Sequence, residues 1–231
     1  MIKIHAAHQR GTFRNDWLEA FFSFEFGTYR NEYRRCYSDL IVLNEDFVAP
    51  GGGFGPHPHD NVEVMSYPLE GAIEHRDHIG NCATISYGDV HLMRAGSGIV
   101  HSEMNASREI PERHVQWWIR PAHRDTTPSY AVRHFALETK IDRLCLIASA
   151  NGSEGSLEID QDIRIYASIV GPRKVTYRLD NGRRAYIHVV KGSLDINGER
   201  LSTGDGVHAE QLSLLSLISK SSAEVLLFDL R

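Results

Sequence analysis

The 231 residues carry 30 acidic and 25 basic side chains, a formal charge of −5, with 42% hydrophobic residues. That length suits one large or two small domains with a buried core, and the acidic balance excludes the electrostatic footprint of a direct nucleic-acid binder or of a protein drawn to an anionic membrane. The start Met1-Ile2-Lys3-Ile4-His5 turns polar at once and no apolar run of about 18 residues follows, so neither a signal peptide nor a membrane helix is expected and the chain reads as cytoplasmic.

In chain order, residues 15–20 are expected as a short helix capped by Asn15 or Asp16. Strands are expected at 39–43, 62–67, 84–87 and 114–119, punctuated by Gly51-Gly52-Gly53, Ile79-Gly80-Asn81, Gly88-Asp89 and Gly96-Ser97-Gly98. After the polar stretch 122–128, further strands are expected at 163–170, 184–190, 193–196 and 224–229. Short strands with regular turn signals specify a sandwich or barrel. An internal repeat refines this, because Leu69-Glu70-Gly71-Ala72-Ile73-Glu74 precedes Gly88-Asp89-Val90 as Val190-Lys191-Gly192-Ser193-Leu194-Asp195 precedes Gly204-Asp205-Gly206-Val207. The fold class is therefore all-β, two tandem barrels of one kind with short helices. The domain boundary is expected after residue 122, giving 1–122 and 123–231.

Cys36, Cys82 and Cys145 are odd in number and form no Cys-x-x-Cys, which argues against a disulfide framework or a zinc ribbon and for reduced, mostly buried thiols. The chemistry concentrates elsewhere. His57 and His59 sit in Gly-Pro-His-Pro-His, and His101 and Glu103 in Val-His-Ser-Glu-Met. Each pair is spaced two apart, which in a strand puts both side chains on one face, so two such strands offer three imidazoles and a carboxylate to one ion. A His-x-His pair alone is weak in a chain with 13 histidines, and its competing reading is an exposed loop stiffened by Pro56 and Pro58. The same prolines hold His57 in extended geometry.

Gly51, His57, Pro58, His59 and Glu63 follow the first motif of the cupin superfamily, with Gly71 one place late, and Gly98, His101 and Asn105 follow the second. The second motif's proline is missing, with Gly96-Ser97-Gly98 at the turn, and the spacing from Gly88 is longer. Together with Phe54-Gly55-Pro56-His57-Pro58-His59, Leu69-Glu70-Gly71, Glu74-His75-Arg76-Asp77, His101-Ser102-Glu103-Met104-Asn105, Phe22-Ser23-Phe24-Glu25-Phe26 and Gln116-Trp117-Trp118-Ile119, these departures make the chain resemble the pirin family, most densely between residues 39 and 121. The resemblance implies two tandem cupin-type barrels. It also implies that Glu103, rather than the Glu63 of the general cupin pattern, completes the ligand set His57, His59, His101 and Glu103. Glu63, of the same parity as the two histidines, is then expected to orient an imidazole through its free N–H.

Three imidazoles and one carboxylate leave two positions open in an octahedral field, and nitrogen and oxygen ligands without thiolate suit iron(II), manganese, nickel, copper or zinc alike. Iron is what the resemblance implies, one ion per chain, because the second half carries no His-x-His and its His188 and His208 read as structural. Some pirins are similar to quercetin 2,3-dioxygenases. The expected function is thus cleavage of a flavonol by dioxygen with release of carbon monoxide, Glu103 accepting the flavonol proton. The alternative is a non-enzymatic iron-binding regulator that senses oxidation state through a protein partner, although no basic localisation run is present. The expected partners are a small aromatic substrate and dioxygen, without nucleic acid or membrane, and the chain is expected to be monomeric. Glu74-His75-Arg76-Asp77-His78 reads as charged hairpin residues in water, although the pirin resemblance leaves open that this hairpin lies near the pocket mouth. Trp117 and Trp118 fall on opposite faces, one for the core and the other for a cavity or an interface.

Overall fold

The computed structural model describes residues 1–231, and its helical content is three short 3-10 turns at Ala7–Gln9, Leu137–Thr139 and Ser153–Gly155. The strands are β1 (Ile2–His5), β2 (Gly11–Arg14), β3 (Leu18–Phe22), β4 (Leu40–Val48), β5 (Gly53–His59), β6 (Glu63–Glu70), β7 (Ala72–Asp77), β8 (Cys82–Ser86), β9 (Asp89–Arg94), β10 (Ile99–Asn105), β11 (Glu112–Ile119) and β12 (Ser129–His134). They continue as β13 (Cys145–Ser149), β14 (Leu157–Glu158), β15 (Arg164–Val170), β16 (Val175–Arg178), β17 (Arg184–Ile196), β18 (Glu199–Ser202), β19 (Gly206–Glu210), β20 (Leu214–Ile218) and β21 (Ala223–Leu230). The chain is all-β, with two tandem barrels of cupin type. No helix is long and apolar enough to cross a membrane.

The first compact unit is Gly11–His134 with Ile159–Gln161; the second is Met1–Arg10, Phe135–Glu158 and Asp162–Arg231. Both units cross the boundary set after residue 122 from sequence. The reason is main-chain pairing: β1 lies antiparallel to β19, Ile2 opposite Ala209, whereas β12 lies antiparallel to β9, Ser129 opposite Arg94. Neither partnership is local, so no turn signal announces it.

In the second unit a ten-stranded sheet closes over aliphatic side chains, among them Ile187, Val189, Leu194, Ile196, Val207, Leu215, Leu217, Val225 and Leu227. Each such side chain contributes on the order of 2 kcal/mol by leaving water. The strands expected at 184–190 and 193–196 run together as β17, whose register shifts between Val189 and Lys191. His188 is fully buried on this strand, and His208 packs against His5 at 3.9 Å and Tyr186 at 5.3 Å between ring centroids. The repeated glycines have one cause. Gly71 (φ +65°) and Gly192 (φ +90°) are left-handed, and a Cβ there would meet a main-chain oxygen at 2.6 and 2.2 Å, of Pro111 and Ser222 respectively.

The first unit is two sheets, β12-β9-β6-β11-β4-β3-β2 and β5-β10-β7-β8. Residues 15–20 form no helix. The Asn15 carboxamide oxygen accepts from the amides of Trp17 and Leu18 at 3.0 and 2.7 Å, and the chain leaves this turn as β3, with Leu18, Ala20 and Phe22 buried in alternation. The side chain that would cap a helix closes an Asx turn instead, which uses the same bond. The cysteines are also more accessible than expected, Cys36 and Cys82 being exposed and Cys145 partly so.

The first unit also contains a buried polar row absent from the aliphatic core of the second. Across the large sheet, Asn44 stands opposite Gln116, Gln116 opposite Ser66, Ser66 opposite His91, and His114 opposite Asp46. All six are buried, as are His75, His101 and Glu103 on the small sheet. Buried polar groups at this density cost stability unless they bond one another or a ligand.

Candidate metal centre

β5 and β10 are antiparallel neighbours, with His57 directly opposite His101 and His59 opposite Ile99. Gly53 (φ +148°) permits their approach, since a Cβ there would lie 2.6 Å from the Glu103 carbonyl oxygen. The register shifts between His101 and Glu103, so Glu103 faces Phe54. The result is a histidine cluster with ring centroids 4.4 Å apart for His57 and His101 and 4.9 Å for His59 with either. One ring nitrogen from each falls within 4.8 Å of the others. A second group with the same span joins a Glu103 carboxylate oxygen to nitrogens of His75 and His101.

The donor atoms fit a divalent cation. His57 Nδ1 lies 2.8 Å from the Gly55 carbonyl, an acceptor only, so Nδ1 carries the proton and Nε2 keeps its lone pair. His101 Nε2 is buried without a hydrogen-bond partner. Burial lowers His59 to about 4, helped by His57, and burial lowers His101 to about 4 against the pull of Glu103. Both imidazoles are therefore neutral near pH 7. Glu103 is ionised: burial raises its pKa, but His101, His91, His114 and the Gln116 bond outweigh it and hold the group at about 2.

Glu103 is fixed from the large sheet. Gln116 Nε2 donates to one oxygen at 2.9 Å, Ser66 Oγ to the other at 3.4 Å, and Gln116 Oε1 accepts from Trp118 Nε1 at 3.0 Å. Trp118 in turn meets His59 edge-on at 4.9 Å. Trp117 is the fully buried member of the pair. Trp118 lines a cavity of about 330 Å³ with Phe13, Phe22, Phe26 and Phe54, whose polar lining is Asn44, Asp46, Gln116, His57, His59 and Glu103. Behind Asp46, His114 sits 2.8 Å from Glu112 and 3.5 Å from Asp46; burial works against its charge, yet these carboxylates raise it to about 9. Period-two alternation places His114, Gln116 and Trp118 on one face of β11, a signal readable in sequence but shared with any solvated strand face.

Glu63 does not orient an imidazole. It pairs with Arg94 at 3.1 Å and accepts from the Asp160 amide at 2.9 Å. Strand parity does not carry from His59 to Glu63, because Asn61, at φ +49°, breaks the strand between them, and β5 and β6 then enter different sheets. Burial raises Glu63 from 4.5 to about 7 despite the Asp160 amide and Arg94. The folded chain then holds more protons than the unfolded chain between those values, so this group's contribution is complete below 4.5 and is lost as pH rises through 7. Glu63→Gln is expected to flatten the melting-temperature profile across that window and to leave metal uptake unchanged. A tenfold loss of metal affinity in that variant would restore the orienting role.

Two tandem cupin barrels, one with a histidine cluster beside an aromatic cavity, define the class as a bicupin. Residues 3–119 match the family described as Pirin, and residues 146–230 match the quercetinase C-terminal cupin domain. The chain is 37% identical to a quercetin 2,3-dioxygenase of Escherichia coli (strain K12), covering 100% of this chain and 99% of that one. It is 33% identical to a pirin-like protein of Caulobacter vibrioides across 92% of each. Among solved structures, the bacterial pirin YhhW from Escherichia coli in complex with nickel(II) superposes with a TM-score of 0.95 at 36% identity, covering 100% of this chain and 99% of that one. The chain belongs to the pirin family.

Proposed function

We propose that this protein is a metal-dependent dioxygenase of pirin type that opens quercetin or a related flavonol with dioxygen and releases carbon monoxide. The observation that carries the reading is the cavity of about 330 Å³, whose aromatic walls suit a flat polyphenol and whose polar lining includes two of the three clustered imidazoles with the ionised Glu103. In this reading His57, His59, His101 and Glu103 hold one divalent transition metal. The donor set does not choose among iron(II), manganese, nickel, copper and zinc; the pirin resemblance points to iron, and the Escherichia coli relative holds nickel(II).

When bound, a redox-capable cation would acidify the flavonol 3-hydroxyl and couple the substrate to dioxygen. The protein's own groups do the rest. Phe22, Phe26 and Trp118 would sandwich the rings and exclude water. Glu103, ionised, would take the proton of the acidified hydroxyl, and Gln116 and Ser66 hold it in place to do so. In the overall reaction the ring bonds to C3 break, C3 leaves as carbon monoxide, and both oxygen atoms stay with the opened product.

Anaerobically metallated protein mixed with quercetin and oxygen is expected to consume the two in equal amounts and release one equivalent of carbon monoxide. Binding of quercetin without oxygen uptake across the divalent series would end the enzymatic reading. Glu103→Gln is expected to weaken metal binding and nearly abolish turnover. Full activity in that variant would remove Glu103 from the site.

A further inference from the structure

The hairpin residues His75 and Asp77 do not face water. Along β7 the side chains alternate: Glu74 and Arg76 point outward and pair with each other at 2.9 Å, while the side chains of His75 and Asp77 are both fully buried. β7 is the neighbour of β10, with Asp77 opposite His101 and His75 opposite Glu103. His101 Nδ1 lies 3.4 Å from His75 Nδ1, and His75 Nε2 lies 3.3 Å from Asp77 Oδ2.

Hydrogen-bond direction follows from what Asp77 receives. Its carboxylate accepts from the Ile79 amide at 3.2 Å, the Asn81 amide at 2.9 Å and Asn81 Nδ2 at 2.8 Å, so Asp77 acts throughout as an acceptor. His75 Nε2 then carries a proton toward Asp77, which leaves His75 Nδ1 with a lone pair. That lone pair requires the proton of the His101 pair to sit on His101 Nδ1. His101 Nε2, buried without a partner, is left as the free donor atom. His91 and Tyr130 pack against the His75 ring at 4.8 and 4.6 Å and fix its plane.

We propose that Asp77 and His75 are positioning residues for the metal centre, a two-step hydrogen-bond relay that sets the tautomer of His101 and strengthens Nε2 as a donor. The proposal rests on the metal reading given above and adds to it the source of the ligand's tautomer. Such partners of metal-bound histidines are worth about 10- to 100-fold in affinity.

The test uses the full-length protein titrated with nickel(II) against a competing chelator, together with the midpoint potential of the iron-loaded protein. Asp77→Asn keeps an oxygen for the Ile79 and Asn81 amides but turns an NH₂ toward His75, which inverts both imidazoles and points an N–H at the cation. It is expected to lower nickel(II) affinity by about 10- to 100-fold, to leave saturation at one ion per chain, and to raise the iron potential because His101 donates less. His75→Leu, which leaves the Asp77 turn intact, is expected to do the same. The double variant is expected to be no weaker than His75→Leu alone, since both residues act through one chain of bonds. Melting temperatures identify any variant that fails to fold, and the other then carries the test. Unchanged affinity and potential in folded His75→Leu would overturn the relay, as would additive losses in the double variant. Two nickel ions per wild-type chain would overturn it too, by placing an ion between the two Nδ1 atoms. Wild-type protein that takes up no ion would instead bring down the metal reading beneath it.

Discussion

Quercetin and its 3-deoxy analogue are expected to differ by about 10⁴-fold in kcat/KM, because a site built around a hydroxyl leaves its polar groups unmatched when that hydroxyl is missing. The flavone keeps the flat ring system and fills the same aromatic walls, Phe22, Phe26, Phe54 and Trp118, so its binding should fall far less than its turnover. It offers Glu103 no hydroxyl proton at C3, the carbon that must be lost. A carboxylate is too weak a base to remove a hydrogen bound to carbon at that position, so the deprotonation that starts the reaction has no counterpart in the flavone. Zinc loading is expected to leave quercetin bound and unreacted, since zinc has no second oxidation state to offer. Oxygen uptake measured with both substrates on one metallated batch decides the matter. Comparable rates for the two would show that the 3-hydroxyl is not the group recognised.

His101→Ala is expected to cost more than about 100-fold in metal affinity, beyond the loss that follows when only a ligand's hydrogen-bond partner is removed. His101 is the centre of the arrangement: it sits opposite His57, close to His59, and shares a ligand group with Glu103. Removing it also ends the contact with His75. Alanine at His57 or His59 should likewise empty the site, and both are only partly buried, so the β fold should survive. Metal analysis of the purified variants, with circular dichroism as the control for folding, reads this directly. One ion per wild-type chain is expected, and His101→Ala that retains full occupancy would place the ion elsewhere.

The convergence of His57 and His59 on His101 was legible because strand periodicity is short and the prolines around His57 enforce it. The repeat around Gly71 and Gly192 was legible for a similar reason, since a left-handed turn with a main-chain oxygen in the way admits little else. What the sequence concealed is the sidedness of the polar residues. The polar residues of β7 and β11 look like solvated strand faces, yet His75, Asp77, His114 and Gln116 point into the protein, where His75 bonds Asp77, Gln116 bonds Glu103 and His114 bonds Glu112. Alternation reveals which residues share a face, not which face meets water. Glu63 misled because parity carries no information across a turn, and Asn61 places one between it and the histidines. The pairing of β1 with β19 joins the ends of the chain, a separation over which local pattern is silent.

The most direct measurement is a reaction of anaerobically metallated protein and quercetin with ¹⁸O₂, followed by mass analysis of the opened product and of the carbon monoxide. Two labelled oxygen atoms are expected in the product, with unlabelled carbon monoxide, the outcome of dioxygen adding to a flavonol held beside His57, His59, His101 and Glu103. A product with one labelled atom or none, or oxygen consumed without any carbon monoxide, would contradict the dioxygenase reading.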